Sequence, residues 1–176
     1  SKSIAAFEKK SACSKGLDGQ DYFDLGKAYY FSGGAKQREA AVIKDAKLKS
    51  VKEAEAIPFF VKADTSFSKL IQLKSAFPAG YYWKGRVETY LDPKNEMWLS
   101  KPHFEKALTL AKPEEKTGTY KSNTIEALEY LGYHFVTLKD KEKADAAFNE
   151  LKTLDPNNEK AKNYFNPPKG AAPKGK

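Results

Sequence analysis

Sixteen residues separate Gly132 from Phe148, and the residues around that pair leave few folds open to the chain. Leu131-Gly132, Phe135, Ala144, Phe148 and Pro156 place small and large apolar residues at helical intervals on two successive helices. Gly132 lets the second helix approach the first closely, Ala144 does the same from the other side, and Phe148 fills the space between. Pro156 closes the unit because proline cannot continue a helix. One such helix pair cannot bury its apolar face alone, so further copies are expected beside it.

They are present. Tyr22, Leu25-Gly26 and Tyr29 repeat the first-helix pattern, and Phe60, Ala63 and Phe67 repeat the second. Tyr81, Gly85, Phe104 and Ala107-Leu108 give a unit between, which departs from the pattern at Lys84, Glu88 and Ser100. The glycine-to-phenylalanine interval is nineteen residues there and forty-one in the first unit, against sixteen in the last. The surplus in the first unit is the 25-residue stretch Gly33 to Ile57. Ser3, Phe7 and Lys10 read as the second helix of a preceding unit, so the sequence is expected to begin within a repeat.

The segment Ile125 to Asn158 resembles a tetratricopeptide repeat (TPR), a helix–turn–helix unit of about 34 residues with the pattern L-G-x2-Y, A-x3-F and a closing Pro. Leu128 stands where the leading Trp of that repeat usually sits. The resemblance covers nearly the whole chain and implies an all-α fold, an α-α superhelix (TPR solenoid) of about three repeats with an inserted helical segment. The expected organisation is a TPR domain over residues 1–166, with the insertion 33–57 in its first full repeat, and a disordered Pro/Gly/Lys tail over 167–176. Tyr-Leu-Gly-Tyr and Leu-Asp-Pro-Asn-Asn-Glu-Lys-Ala are similar to bacterial TPR proteins, many of them exported. That likeness favours periplasm or cell envelope over cytoplasm.

Local signals fill in the plan. Ser32-Gly33-Gly34 is expected to stop the first helix, since glycine carries the largest backbone entropy cost in a helix, and Pro58 suits the first turn of the next. Lys36 to Ala56 consists of good helix formers with sparse, small apolar positions, so it is expected to form a solvated arm. Asp18 or Asp21 caps the first long helix, Ser100 the helix holding Pro102. Asp92-Pro93-Lys94-Asn95 is a turn, and Pro113 to Thr124 a polar connection.

Composition excludes several function classes. Lysine and arginine exceed acids by eight, but lysines are interleaved with acids, and arginine, the better phosphate fork, occurs only at Arg38 and Arg86. This describes a solvated surface and not a specific nucleic-acid interface. No apolar run approaches the roughly 20 residues of a membrane span. Cys13 is the single cysteine, so no internal disulfide forms, and its neighbours suit a helix packing face. His103 and His134 have no second His or Cys at metal-ligand spacing, and no phosphate-binding glycine loop is present. Leu17 to Asp21 lacks the alternating ligands and closing Glu of a calcium loop. Catalysis, cofactor and metal are not expected.

Helical geometry then separates core from exposed face. Tyr22, Leu25, Gly26 and Tyr29 share one face; Phe23, Lys27 and Tyr30-Phe31 share another. The corresponding offsets give Tyr82, Arg86, Thr89 and Tyr90 in the second unit and Glu129, Tyr133 and Val136 in the third. In TPR proteins this second face lines the concave surface where a peptide or partner segment docks. The resemblance therefore implies a partner-binding groove formed by Phe23, Lys27, Tyr30, Tyr82, Arg86, Glu129 and Tyr133. Phe31, Tyr90 and Val136 have two open readings, groove contact or packing against the next repeat. Tyr81 is expected in the core, with the Tyr82 ring pointing away from it. Chaperone-tail capture is not implied, because the accompanying asparagines are missing and Glu129 opposes an anion. The function implied is a non-catalytic protein-interaction scaffold; the alternative is a structural element that self-associates through its repeat ends.

Overall fold

The computed structural model describes residues 4–11 and 16–167. Ser3, Cys13 and the expected tail from residue 168 onward lie outside that range. Every regular element among the described residues is a helix. The chain divides into two compact units, 1–103 and 104–176.

The first unit begins with α1 (Ile4–Ser11), α2 (Gly19–Ala41), α3 (Ala46–Ala54), α4 (Ile57–Leu73) and α5 (Pro78–Leu91). A capping box starts α2. The Asp18 carboxylate accepts from the Asp21 backbone N–H at 2.9 Å, and Asp21 accepts from Asp18 N–H at 3.0 Å. Two donors that a helix start leaves without intrahelical partners are thus satisfied. Asp21 also takes the Lys10 ammonium at 2.5 Å, tying α1 to this cap, and Phe7 on α1 is buried against the core.

α2 pairs with α4 as the repeat pattern requires. A β-carbon on Gly26 would lie 2.7 Å from the Phe67 ring, so only glycine lets Phe67 seat there. Gly33 does not stop the helix. α2 runs through it to Ala41, and a β-carbon at Gly33 would lie 2.9 Å from the Phe60 ring. Gly33 follows Gly26 by seven residues and Phe60 precedes Phe67 by seven. Two helical turns therefore repeat the same glycine–aromatic contact along an antiparallel pair. The entropy cost of glycine is met by close packing, and the helix ends instead at Ala41, seven residues beyond Gly34. Both phenylalanines have no exposed surface, a burial worth roughly 1.5–3 kcal/mol each.

The segment 33–57 is accordingly not a solvated arm throughout. Gly33, Ala40 and Ala56 are buried, while α3 buries no residue. The insertion lengthens the helix pair and adds one short external helix. Asp45 caps α3 by accepting from Leu48 N–H at 2.7 Å, and Pro58 stands in the first turn of α4 as expected.

The departures from the repeat pattern in α5 form a polar chain. Lys84 pairs with Asp64 on α4 and lies 3.2 Å from Glu88; the other Glu88 oxygen lies 2.7 Å from His103 Nδ1. Glu88 is 6% exposed, so its charge is held by these partners and not by water. His103 belongs to α6 (Ser100–Leu110), and the division between the units falls inside this helix. Ser100 is buried and its Oγ makes no hydrogen bond, so it does not cap α6 through its side chain as expected. The 92–95 turn is present, with Asp92 accepting from Glu96 N–H at 2.9 Å and Met97 N–H at 3.0 Å.

The second unit continues with α7 (Pro113–Thr117), α8 (Lys121–Thr137), α9 (Lys141–Leu154) and α10 (Glu159–Phe165). The stretch expected to be a polar connection thus holds the short α7. α8 and α9 pair through Gly132, whose β-carbon would lie 2.8 Å from the Phe148 ring. Leu128, Leu131, Ala144 and Leu151 are buried around them. α9 starts at Asp140, which accepts from Lys143 N–H at 3.2 Å, and ends ahead of Pro156. Asn158 caps α10 by accepting from the Lys160 and Ala161 N–H groups, and Tyr164 stacks on Phe148 at 4.3 Å. No helix among the described residues is long and apolar enough to cross a membrane.

Candidate functional site

On α2 the residues Phe23, Lys27, Tyr30 and Phe31 form a row beside the Gly26 contact, and on α5 the residues Trp83, Arg86 and Tyr90 recur at i, i+3 and i+7. The two rows meet around the Trp83 indole. Its ring lies 6.4 Å from Phe23, 5.3 Å from Tyr30 and 5.9 Å from Phe31, each approached edge to face. Beneath, it stacks on Phe67 at 6.0 Å, so the indole is anchored to the glycine-seated core ring. Such pairs contribute about 0.5–1.5 kcal/mol each beyond the area they bury.

Two cations sit on the same indole. The Lys27 ammonium is 5.5 Å from the Trp83 ring and 5.2 Å from Phe23; the Arg86 guanidinium is 4.9 Å from Trp83. The electron-rich face of an indole holds cations at such distances. Lys27 forms no ion pair with a carboxylate among the described residues, so its charge remains available to an incoming anion. Phe31 is 54% exposed at the rim of the cluster. Tyr30 continues the aromatic surface to Tyr90 at 5.8 Å, and Tyr90 stacks on Phe60 at 4.4 Å. Phe31 thus stays open to solvent, while Tyr90 packs on a core ring.

Of the seven expected groove residues, Phe23, Lys27, Tyr30 and Arg86 come together here. Tyr82 does not fit the expectation of an outward-pointing ring. It is 1% exposed, more deeply buried than Tyr81, whose hydroxyl donates to Ser75 C=O at 3.0 Å. One step along a helix turns a side chain by about 100°, and Trp83 rather than Tyr82 lies on the row shared with Arg86 and Tyr90. Trp83 was the residue the sequence reading missed, although its i, i+3, i+7 spacing was available.

In the second unit Glu129 and Tyr133 behave differently. Glu129 accepts from Asn158 Nδ2 at 2.7 Å and from the Lys160 ammonium at 2.6 Å, so it clasps α10 to α8. Its carboxylate is committed to that structural role. Tyr133 is 57% exposed and Val136 41%.

Two phenols, one in each unit, are pushed above their ordinary value. Burial, followed by the hydrogen bond to Glu8, pushes Tyr29 up to about 12. Burial and the Asp145 carboxylate do the same to Tyr164, also to about 12. No group of three or more acidic, His or Cys side chains among the described residues could hold a metal ion.

No family model matches the sequence, and no curated protein matches it. A solved structure does. The chain is similar to the C-terminal part of a TPR repeat-containing protein from Cytophaga hutchinsonii, with 29% sequence identity and a TM-score of 0.54 over 90% of its own length. The resemblance to TPR proteins holds in three dimensions. The match spans 64% of the length of that neighbour. With the helix order and the three glycine–phenylalanine contacts, it supports an all-α, TPR-like fold, with a bacterial neighbour in structure.

Proposed function

We propose that this TPR-like chain is a non-catalytic scaffold that binds a partner segment on the α2/α5 face of its first unit. The observation that carries the reading is the Trp83 cluster. Four aromatic rings and two cations are gathered on one face, with Phe31 more than half exposed although burial is the usual fate of so large an apolar side chain. Aromatic residues and arginine are what binding surfaces enrich, and rigid rings give contact area at low entropy cost. A TPR-like fold supports a protein partner in general; the identity of the face rests on the cluster.

The test is affinity capture from the source organism with the wild-type chain and three variants. Phe31→Ala and Lys27→Glu both change groups outside the core, and both are expected to lose the captured partners while keeping the parent circular dichroism. Tyr133→Ala, on the other unit, is expected to retain them. Retention by both first-unit variants with loss by Tyr133→Ala would move the working surface to α8.

A further inference from the structure

The insertion 33–57 carries charges that do not cancel. It holds six cations and four carboxylates, and every carboxylate is already matched. Glu39 accepts from the Lys36 ammonium at 2.9 Å, Glu53 lies 3.9 Å from Lys49, and Glu55 accepts from Lys52 at 2.8 Å. Asp45 is spent as the cap of α3, accepting from Leu48 N–H at 2.7 Å. Arg38, Lys44 and Lys47 are left over. All three are exposed, and none pairs with a carboxylate among the described residues.

α3 is also turned the wrong way round for a helix that packs by its apolar side. It lies against α2, and Glu55 at its end joins the two, reaching Lys36 of α2 at 3.9 Å as well as Lys52. Lys49, Lys52 and Glu53 are the half-buried residues of α3, whereas Lys47, Leu48, Val51 and Ala54 are exposed. Lys47, Val51 and Ala54 recur at i, i+4 and i+7 and so share one face, with Leu48 beside it. Val42, where α2 ends, is 81% exposed one turn beyond Arg38, and Leu48 and Val51 are each more than half exposed. Single exposed aliphatic residues are ordinary. Three within ten consecutive residues, beside three uncommitted cations, make a patch. Helix rise puts Val42 about 16 Å along α2 from Phe31, so this tip and the Trp83 cluster are separate surfaces.

Charge and residue type choose what covers the patch. A second copy of the tip would set its unmatched cations against their own kind. The cores of protein interfaces enrich aromatic residues and deplete lysine, and the insertion has lysine and no aromatic residue. A nucleic acid would take the cations and leave Val42, Leu48 and Val51 in water. An anionic bilayer surface takes both, because aliphatic side chains enter the headgroup–acyl boundary while basic groups stay at the lipid phosphates.

We infer that the tip of the insertion, from Arg38 to Val51, is a reversible docking site for an anionic lipid surface. Val42, Leu48 and Val51 supply the apolar contact, and Arg38, Lys44 and Lys47 meet the headgroup phosphates. Three aliphatic side chains bind a bilayer only marginally by themselves, so the contact depends on the charge. The inference stands independently of the scaffold reading and gives the lengthened α2 a second consequence, which is to hold the lipid contact away from the Trp83 face.

The test is co-sedimentation of the purified full chain with vesicles of equal parts phosphatidylglycerol and phosphatidylcholine. Wild type is expected to sediment with them, to be released by raised salt, and to stay in solution with phosphatidylcholine alone. Lys44→Glu with Lys47→Glu should lower the partition coefficient at least roughly tenfold. Val42→Asn with Val51→Asn, which keeps the net charge, should lower it by about threefold or more. Both pairs alter exposed side chains and are expected to keep the parent circular dichroism. Phe31→Ala should sediment like the parent, which separates this inference from the scaffold reading. No sedimentation of wild type with the anionic vesicles, equal sedimentation with phosphatidylcholine alone, or binding that either pair leaves unchanged overturns the inference. Loss of sedimentation by Phe31→Ala overturns it too, by moving the lipid contact to the Trp83 face. A dimer in sedimentation velocity that Val42→Asn with Val51→Asn disperses, in a chain that ignores the vesicles, would give the tip to a second copy instead.

Discussion

The two units use one packing rule and decorate it in opposite ways. In each, a helical glycine admits a phenylalanine ring from the facing helix: Gly26 to Phe67 in the first, Gly132 to Phe148 in the second. The first unit repeats that contact at Gly33 and Phe60 and so runs two turns longer. Its exposed row is aromatic and cationic around Trp83. At the matching offset in the second unit, Glu129 is spent on holding α10, and Tyr133 is more than half exposed. Contacts shared by both units make the architecture, and the Trp83 cluster of the first marks the candidate working face.

The largest expected effect comes from cutting the difference out. Replacing 33–57 with a short Gly/Asn turn removes the Gly33–Phe60 seat and the cover supplied by Ala40 and Ala56. Exposing Phe60 alone costs roughly 1.5–3 kcal/mol, so a clear loss of stability is expected in chemical denaturation of the variant. An unchanged midpoint would mean the insertion is a dispensable arm after all.

Gly26→Leu and Gly132→Leu sharpen the shared part of the comparison. Each places a side chain where even a β-carbon would lie 2.7 or 2.8 Å from an aromatic ring. Overpacking of this kind typically costs about 1–3 kcal/mol. Both variants are expected to melt lower than the parent, and equal melting for either would show that its helix pair is misaligned.

A smaller effect is expected at high pH, once in each unit. Tyr29 and Tyr164 have folded values raised to about 12 from an ordinary 10.0. A raised value means that the neutral phenol stabilises the fold fully below pH about 10, and that this contribution is lost as pH rises toward about 12. Near-ultraviolet titration should show phenols ionising late, and Tyr29→Phe and Tyr164→Phe should each remove one of them. Two variants with the parent titration curve would place both hydroxyls in water.

Much of the fold was legible because the glycine–phenylalanine intervals are set by helix contacts that tolerate little else. Gly33 was misread for a physical reason. A glycine pair after serine carries the same local signal whether it ends a helix or admits a ring, and only the matched seven-residue steps from Gly26 and to Phe60 distinguish the two. That Phe23, Lys27, Tyr30 and Arg86 come together follows from helical spacing on two neighbouring helices. Tyr82 and Trp83 were exchanged because adjacent aromatic residues both satisfy a loose face assignment, and a single position of error is about 100° of rotation. Glu129 could not be read, since its partners Asn158 and Lys160 come from a helix some thirty residues away and sequence spacing carries no information about that clasp.

The claim that the first unit carries the working face meets its most direct test in the tryptophan side chains. The chain has two, Trp83 and Trp98, so an amide correlation spectrum of nitrogen-15-labelled protein should hold two indole N–H signals. Titration with the partner captured by the wild-type chain is predicted to shift the Trp83 indole signal and the α2 and α5 amides together, with one dissociation constant. A Trp83 signal that stays in place while the amides around Tyr133 on α8 shift would contradict the account.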